Sequence, residues 1–241
     1  MSSLKSSAEL KGIAKEKSLG RYGTLIGANI IIFAIQILVT GFSTVTTSGN
    51  IAIIIINNLI TLIINILLGL LMSGKAYLYM NLLYSQTVST SDIFYGLKQE
   101  PQKAVMIQSL FVLVDFLVSI PSQILLVLYQ KNQTFNMMSA LMVALFLGLV
   151  VNIYISLTYS QAFFLLHDFP GRSAKELLAT SRRLMKGHRF HLFYLNVSFL
   201  PLYLLGCISL FVPLLWISVY RYASTCAFYQ DLVASAASRE A

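Results

Sequence analysis

Six long apolar stretches separated by polar turns dominate the pattern along this chain. They cover about residues 22–40, 51–72, 104–128, 137–166, 190–208 and 212–232. A helix needs about 20 apolar residues, at 1.5 Å each, to cross roughly 30 Å of hydrocarbon. The isoleucines at 53–56 would also suit a buried strand, but the length of the run decides for helix. The fourth stretch is long enough to tilt or to project beyond the membrane. Residues 190–232 hold too much apolar sequence for one span, and Gly206 and Pro213 bracket the reversal. The pattern predicts an all-α polytopic membrane fold, six transmembrane helices in three hairpins, as a single membrane domain over 1–241. Residues 1–21 form an interfacial segment, 22–232 the six-span bundle, and 233–241 a short disordered tail.

The polar segments refine this picture. Residues 41–50 are rich in Gly, Ser and Thr without charge and read as a turn. Residues 73–103 form a mixed segment whose Tyr77, Tyr79 and Tyr84 suit a water–lipid boundary. Pro101 sits near the start of the third span, and Pro121 inside it predicts a kink. Residues 130–136 and 167–171 read as turns. Between Ser173 and Gly187, Leu177, Leu178, Ser181, Leu184 and Met185 share one helical face, with Lys175, Arg182, Arg183 and Lys186 on the other. Such a helix lies flat on a membrane surface. Ser6 with Glu9, Ser89 with Asp92 and Ser173 with Glu176 each fit a capping box. Each precedes a hairpin, so the chain reads as three copies of a basic interfacial amphipathic helix plus a two-span hairpin.

Composition agrees: 57% of the 241 residues are hydrophobic and 11% charged, where soluble domains carry about 25% charged residues. The mean hydropathy is +0.75. Alternate segments between the spans hold five, three, six and one basic residues, fifteen in all, against Lys131 alone in the others. That asymmetry places both termini in the cytoplasm. It also absorbs the formal charge of +8, so no nucleic-acid partner is expected. Cys207 and Cys226 lie at different depths and form no disulfide in this reading. Residues 1–21 do not resemble a signal peptide.

Two charges fall inside spans, Asp115 and Arg221. Each lies near the middle of its span, where an unpaired charge costs at least about 2.5–3.5 kcal/mol. They are expected to meet, as a structural pair or as part of a solute or proton path. Ten amides lie in the first five spans, and Asn57, Asn58, Asn65, Gln123 and Asn152 are candidates to line a polar cavity. Lys175, Arg182, Arg183, Lys186 and Arg189 are candidates to bind anionic headgroups or a membrane protein partner. His167, His188, His191 and Asp168 lack a standard zinc spacing and read as interfacial residues; no metal or cofactor is expected. No zinc-protease, phosphate-loop or nucleophile-elbow motif is present, and no enzyme is expected.

The C-terminal third resembles the bacterial integral membrane proteins grouped as domain of unknown function 975. The residues that carry the likeness are Ser181-Arg-Arg-Leu-Met-Lys-Gly187, Leu192-Phe-Tyr-Leu195, Ser198-Phe199, Leu215-Trp216, Tyr220 and Ala227-Phe-Tyr-Gln-Asp-Leu232; Leu10 to Tyr22 is similar in style. The resemblance implies a six-span protein, mostly of Gram-positive bacteria, without an assigned activity. A fainter likeness to the membrane portion of some glycerophosphodiester phosphodiesterases brings no catalytic residues. The leading expectation is a non-enzymatic accessory or regulatory factor of the bacterial cell membrane, engaging anionic lipids or a protein partner through its basic cytosolic face. The alternative is a small-solute or ion transporter or channel using Asp115 and Arg221. Oligomeric state is not legible.

Overall fold

A computed structural model describes residues 4–43, 51–209 and 211–240. These residues are helical, with turns and no strands. In order come α1 (Ser7–Ser18), α2 (Tyr22–Ser43), α3 (Ile51–Leu67) and α4 (Gly69–Leu83). A 3-10 turn (Thr90–Phe94) and the short α5 (Tyr95–Lys98) lead into α6 (Pro101–Lys131) and α7 (Phe135–Tyr159). Then follow α8 (Ala162–Asp168), α9 (Ala174–Leu184), α10 (Arg189–Val197), α11 (Leu200–Ile208) and α12 (Pro213–Glu240). Most of the turn read at 41–50 lies outside the described residues.

Five helical segments are long and apolar enough to cross a membrane: Tyr22–Val39, Ile56–Leu83, Pro101–Lys131, Phe135–Asp168 and Arg189–Ile208. The sixth apolar stretch forms α12, which does not join that set. Tyr220, Arg221, Tyr222, Ser224 and Thr225 interrupt its apolar run.

Two boundaries differ from the sequence reading. The second span does not stop at residue 72; α4 carries it to Leu83, so Lys75, Tyr77 and Tyr79 sit inside a helix. The tail read as disordered continues α12 to Glu240, because its alanines favour helix and Leu232 and Ser235 are buried on it. Pro121 sits within an unbroken α6.

The buried core gathers at one end of the bundle. It comprises Leu10 and Ala14 of α1, the start of α2, nearly all of α4, Ile93, Ala104 and Ile107, α8, Leu177 of α9, and α12 from Ile217 to Leu232. From Met106 to Tyr154, α6 and α7 expose Leu113, Leu117, Phe146 and Leu149 instead. An apolar patch of that extent is not a surface that water tolerates.

The three segments that the sequence reads as copies share several features at this packed end. All three capping boxes form: the Ser6, Ser89 and Ser173 amides donate to Glu9, Asp92 and Glu176 at 2.7, 2.9 and 2.9 Å. The residue after each acid, Leu10, Ile93 or Leu177, is fully buried. The first and third copies end on Gly20 and Gly187, both at positive φ. The middle copy is shorter and turns at Glu100 (φ 50°). The chain then buries residues at i, i+3 and i+7: Leu25, Ala28 and Ile32 of α2 in the first copy, and Leu192 and Leu195 of α10 with Phe199 just beyond it in the third. Ala104 and Ile107 are their counterparts in the middle copy, with Phe111 packed against the core. The middle copy departs from the expected surface helix: its capping box opens a 3-10 turn and one turn of α5.

Candidate functional site

The basic residues divide into two groups that the sequence does not distinguish. Four of those in and beside α1 are turned onto the protein. Lys5 reaches Asp231 of α12, its amide donating to the carboxylate at 2.8 Å. Lys11 donates to the Ser198 carbonyl at 3.1 Å and lies over the Phe199 ring. Lys17 donates to the Ser85 hydroxyl at 2.6 Å and Arg21 to the Gln86 carbonyl at 2.8 Å. By contrast, Lys175, Arg182, Arg183 and Lys186 on and just after α9 are exposed. None of these four makes a hydrogen bond or ion pair with the described residues.

The opposite face of α9 explains this orientation. The α7–α8 junction interrupts a helix at Ser160 and Gln161, which leaves backbone groups without helical partners. The buried Ser181 hydroxyl donates to the Thr158 carbonyl at 3.2 Å and accepts from the Gln161 amide at 3.3 Å. Leu177 and Met185 are fully buried on either side of it. One serine on an apolar face therefore fixes α9 to the bundle and turns its cations outward.

Asp115 and Arg221 do not meet. Asp115 accepts from the Asn152 amide at 2.8 Å, across α6 and α7. Arg221 Nη1 donates to Asn196 Oδ1 at 3.2 Å, across α12 and α10. The ion pairs among the described residues are Lys5–Asp231 and Lys103–Glu100. The expected pair fails because each charge finds an amide on the helix packed beside its own, and a neutral partner satisfies the geometry locally. Asp115 also lines a polar cavity of about 150 Å³ with Asn58, Asn65, Ser119 and Gln123. Three of the five predicted cavity amides converge there, and Asn152 reaches it through the carboxylate; Asn57 does not line it.

Arg221 belongs to a different space. It lines an open groove of about 460 Å³ between α7, α10 and α12, with Asn152, Ser156, Phe193 and Asn196. Arg189, expected on the outward basic face, turns instead toward α7: its Nη1 donates to the Tyr154 hydroxyl at 3.0 Å, and the guanidinium lies 4.8 Å from that ring's centre. The tyrosine face offers a cation a partner that solvent-facing residues do not. Sequence reasoning also missed Lys75, whose Nζ lies 4.6 Å from the centre of the Tyr222 ring. Its neighbours Tyr77 and Tyr79 read as boundary residues, so nothing local marked it as interior.

The histidine and acid candidates scatter. His167 Nε2 donates to the Ser73 carbonyl at 2.8 Å. Asp168 accepts from the Tyr229 hydroxyl. His191 packs beside the Phe228 ring. Both cysteines are free, Cys207 exposed and Cys226 buried.

No curated protein and no solved structure matches this chain. The family described as "Protein of unknown function (DUF975)" matches residues 1–236. A match over nearly the whole chain, on an all-helical fold with five helices fit to cross a membrane, leads to one identification: the chain belongs to the DUF975 family.

Proposed function

We propose that this chain is a six-span integral protein of the bacterial cell membrane, with both termini cytoplasmic, acting without catalysis as an accessory or regulatory factor. It engages anionic lipid headgroups through its basic cytosolic face. The observation that carries the reading is the set of four outward cations on and just after α9, Lys175, Arg182, Arg183 and Lys186, held by a buried seam and paired with no acid among the described residues. A basic side chain near an anionic leaflet contributes about 1 kcal/mol, so the four together bias local lipid composition. A membrane protein partner with an acidic surface would use the same charges. In this topology α12 is the sixth span, and Arg221 is tolerated in it because Asn196 accepts its hydrogen bond.

The test is the lipid composition of polymer-excised membrane discs around the wild-type chain and around R182A/R183A/K186A. Wild-type discs should be enriched in anionic lipid over the bulk membrane, with an enrichment that high salt reduces. Equal enrichment around the triple variant would sink the proposal.

A second reading, a path for a small polar solute, is favoured by the cavity that gathers Asn58, Asn65 and Gln123 around Asp115. Under that reading D115N abolishes flux in liposomes while the protein still inserts; undiminished flux ends it.

A further inference from the structure

Two arginines line neighbouring depressions whose described walls hold no acid. Arg221 lines the groove between α7, α10 and α12, and Arg189 lines a second depression of about 290 Å³. The two depressions share Ile153, Leu157 and Phe193 as walls, so they form one continuous trough along α7 and α10. Its extent falls within the range of small-ligand sites.

The chemistry of the trough is asymmetric. Its walls are aliphatic and aromatic, its charges are both positive, and its neutral polar groups are the Asn152 and Asn196 amides and the Ser156 and Tyr154 hydroxyls. Arg189 Nε is buried and has no hydrogen-bond partner among the described residues. Arg221 donates only to a neutral amide oxygen, and the like charge of Lys75 lies near it. Guanidiniums in such surroundings need acceptors, and a planar fork of donors matches an oxyanion better than any other group. Asn196 is seven residues along α10 from Arg189, a separation of about 10 Å on the helix axis. The Arg189 side chain closes part of that gap by reaching Tyr154.

We propose that this trough is a binding site for one anionic phospholipid. Its phosphate lies between Arg189 and Arg221, and one acyl chain runs along Ile153, Leu157 and Phe193. The inference rests on the membrane reading above, but the site differs from the outward face of α9. The unpaired positive charge and the apolar walls together select an amphiphile with a negative head.

The experiment titrates delipidated full-length protein in neutral detergent with dioleoyl phosphatidylglycerol, dioleoyl phosphatidylcholine or glycerol 1-phosphate, read by native mass spectrometry. One phosphatidylglycerol should bind the wild type at least about tenfold more tightly than phosphatidylcholine, the scale of a lost charge-assisted hydrogen bond. R221Q and R189Q should each abolish that preference, while R182A/R183A/K186A retains it. N196D places a carboxylate beside Arg221 at nearly unchanged size and should also remove the preference. It carries the test if R221Q elutes as an aggregate. Wild-type preference in R221Q, R189Q or N196D overturns the proposal. So does equal binding of phosphatidylcholine, or full displacement of the lipid by glycerol 1-phosphate, which would make the ligand a soluble phosphate. Resistance of the protein to carbonate extraction from membranes is scored separately. Its loss would overturn the membrane reading, and the site with it.

Discussion

Replacing Gly74 by alanine tests the closest backbone approach in the packed end. A Cβ at Gly74 would lie 1.8 Å from the Ile93 carbonyl oxygen and 2.3 Å from its carbon. Ordinary contact begins near 3.4 Å, so α4 and the 3-10 turn must part by about 1.6 Å. Both partners are backbone, and no rotamer change absorbs the clash. Overpacking of this kind costs about 1–3 kcal/mol. The separation also loosens Ile93, which is fully buried, and forfeits part of the roughly 1.5–3 kcal/mol its burial contributes. The expected loss is about 3 kcal/mol. In a chain of this size that lowers the melting temperature by about 6–12 °C, at roughly 2–4 °C per kcal/mol. Gly12 is the control: it lies in α1, and a Cβ there meets nothing within 4 Å. Gly12→Ala should stabilise by up to about 1 kcal/mol through helix propensity alone. The assay is thermal unfolding of detergent-solubilised protein by circular dichroism at a helical wavelength. The reasoning fails if Gly74→Ala melts at or above the wild type, because α4 and residues 90–94 would then not be in contact.

Two further outcomes follow from the capping boxes. Ser173→Ala removes the side chain that caps α9 and should cost about 1 kcal/mol, read as faster hydrogen exchange across residues 174–184 with little change in α6. The hydrogen bonds from the Ser6 hydroxyl and amide hold the Glu9 carboxyl below its ordinary value of 4.5. Its stabilising contribution is therefore complete above that value and disappears as pH falls through the lower, folded-state value. Glu9→Gln should flatten the acid limb of the stability curve, and an unchanged limb in that variant would assign the acid sensitivity to another group.

Helices, caps and apolar runs were legible because each depends on neighbours within a few residues. The three serine–acid pairs are the clearest instance: spacing alone predicts them, and all three close. The outward face of α9 was legible for the same reason, since 100° per residue separates its leucines from its cations. The sixth apolar stretch was legible as a helix, α12, but Arg221 and its polar neighbours leave it less apolar than the other five segments. Lys75 was misplaced because tyrosines suit a membrane boundary and a helix interior equally well.

By itself the sequence determined that this chain is helical and apolar, with a serine–acid cap at three places. Those properties are set by residue type and by periods of three to four. Tertiary structure alone decided which charge meets which partner. Asp115 and Asn152 are 37 residues apart, Arg221 and Asn196 25, and Arg189 and Tyr154 35. Each pairing depends on helix rotation and on which helices are neighbours. A helix carries its charges around its axis without recording which helix will face them, so two mid-span charges that need partners are not thereby partners of one another.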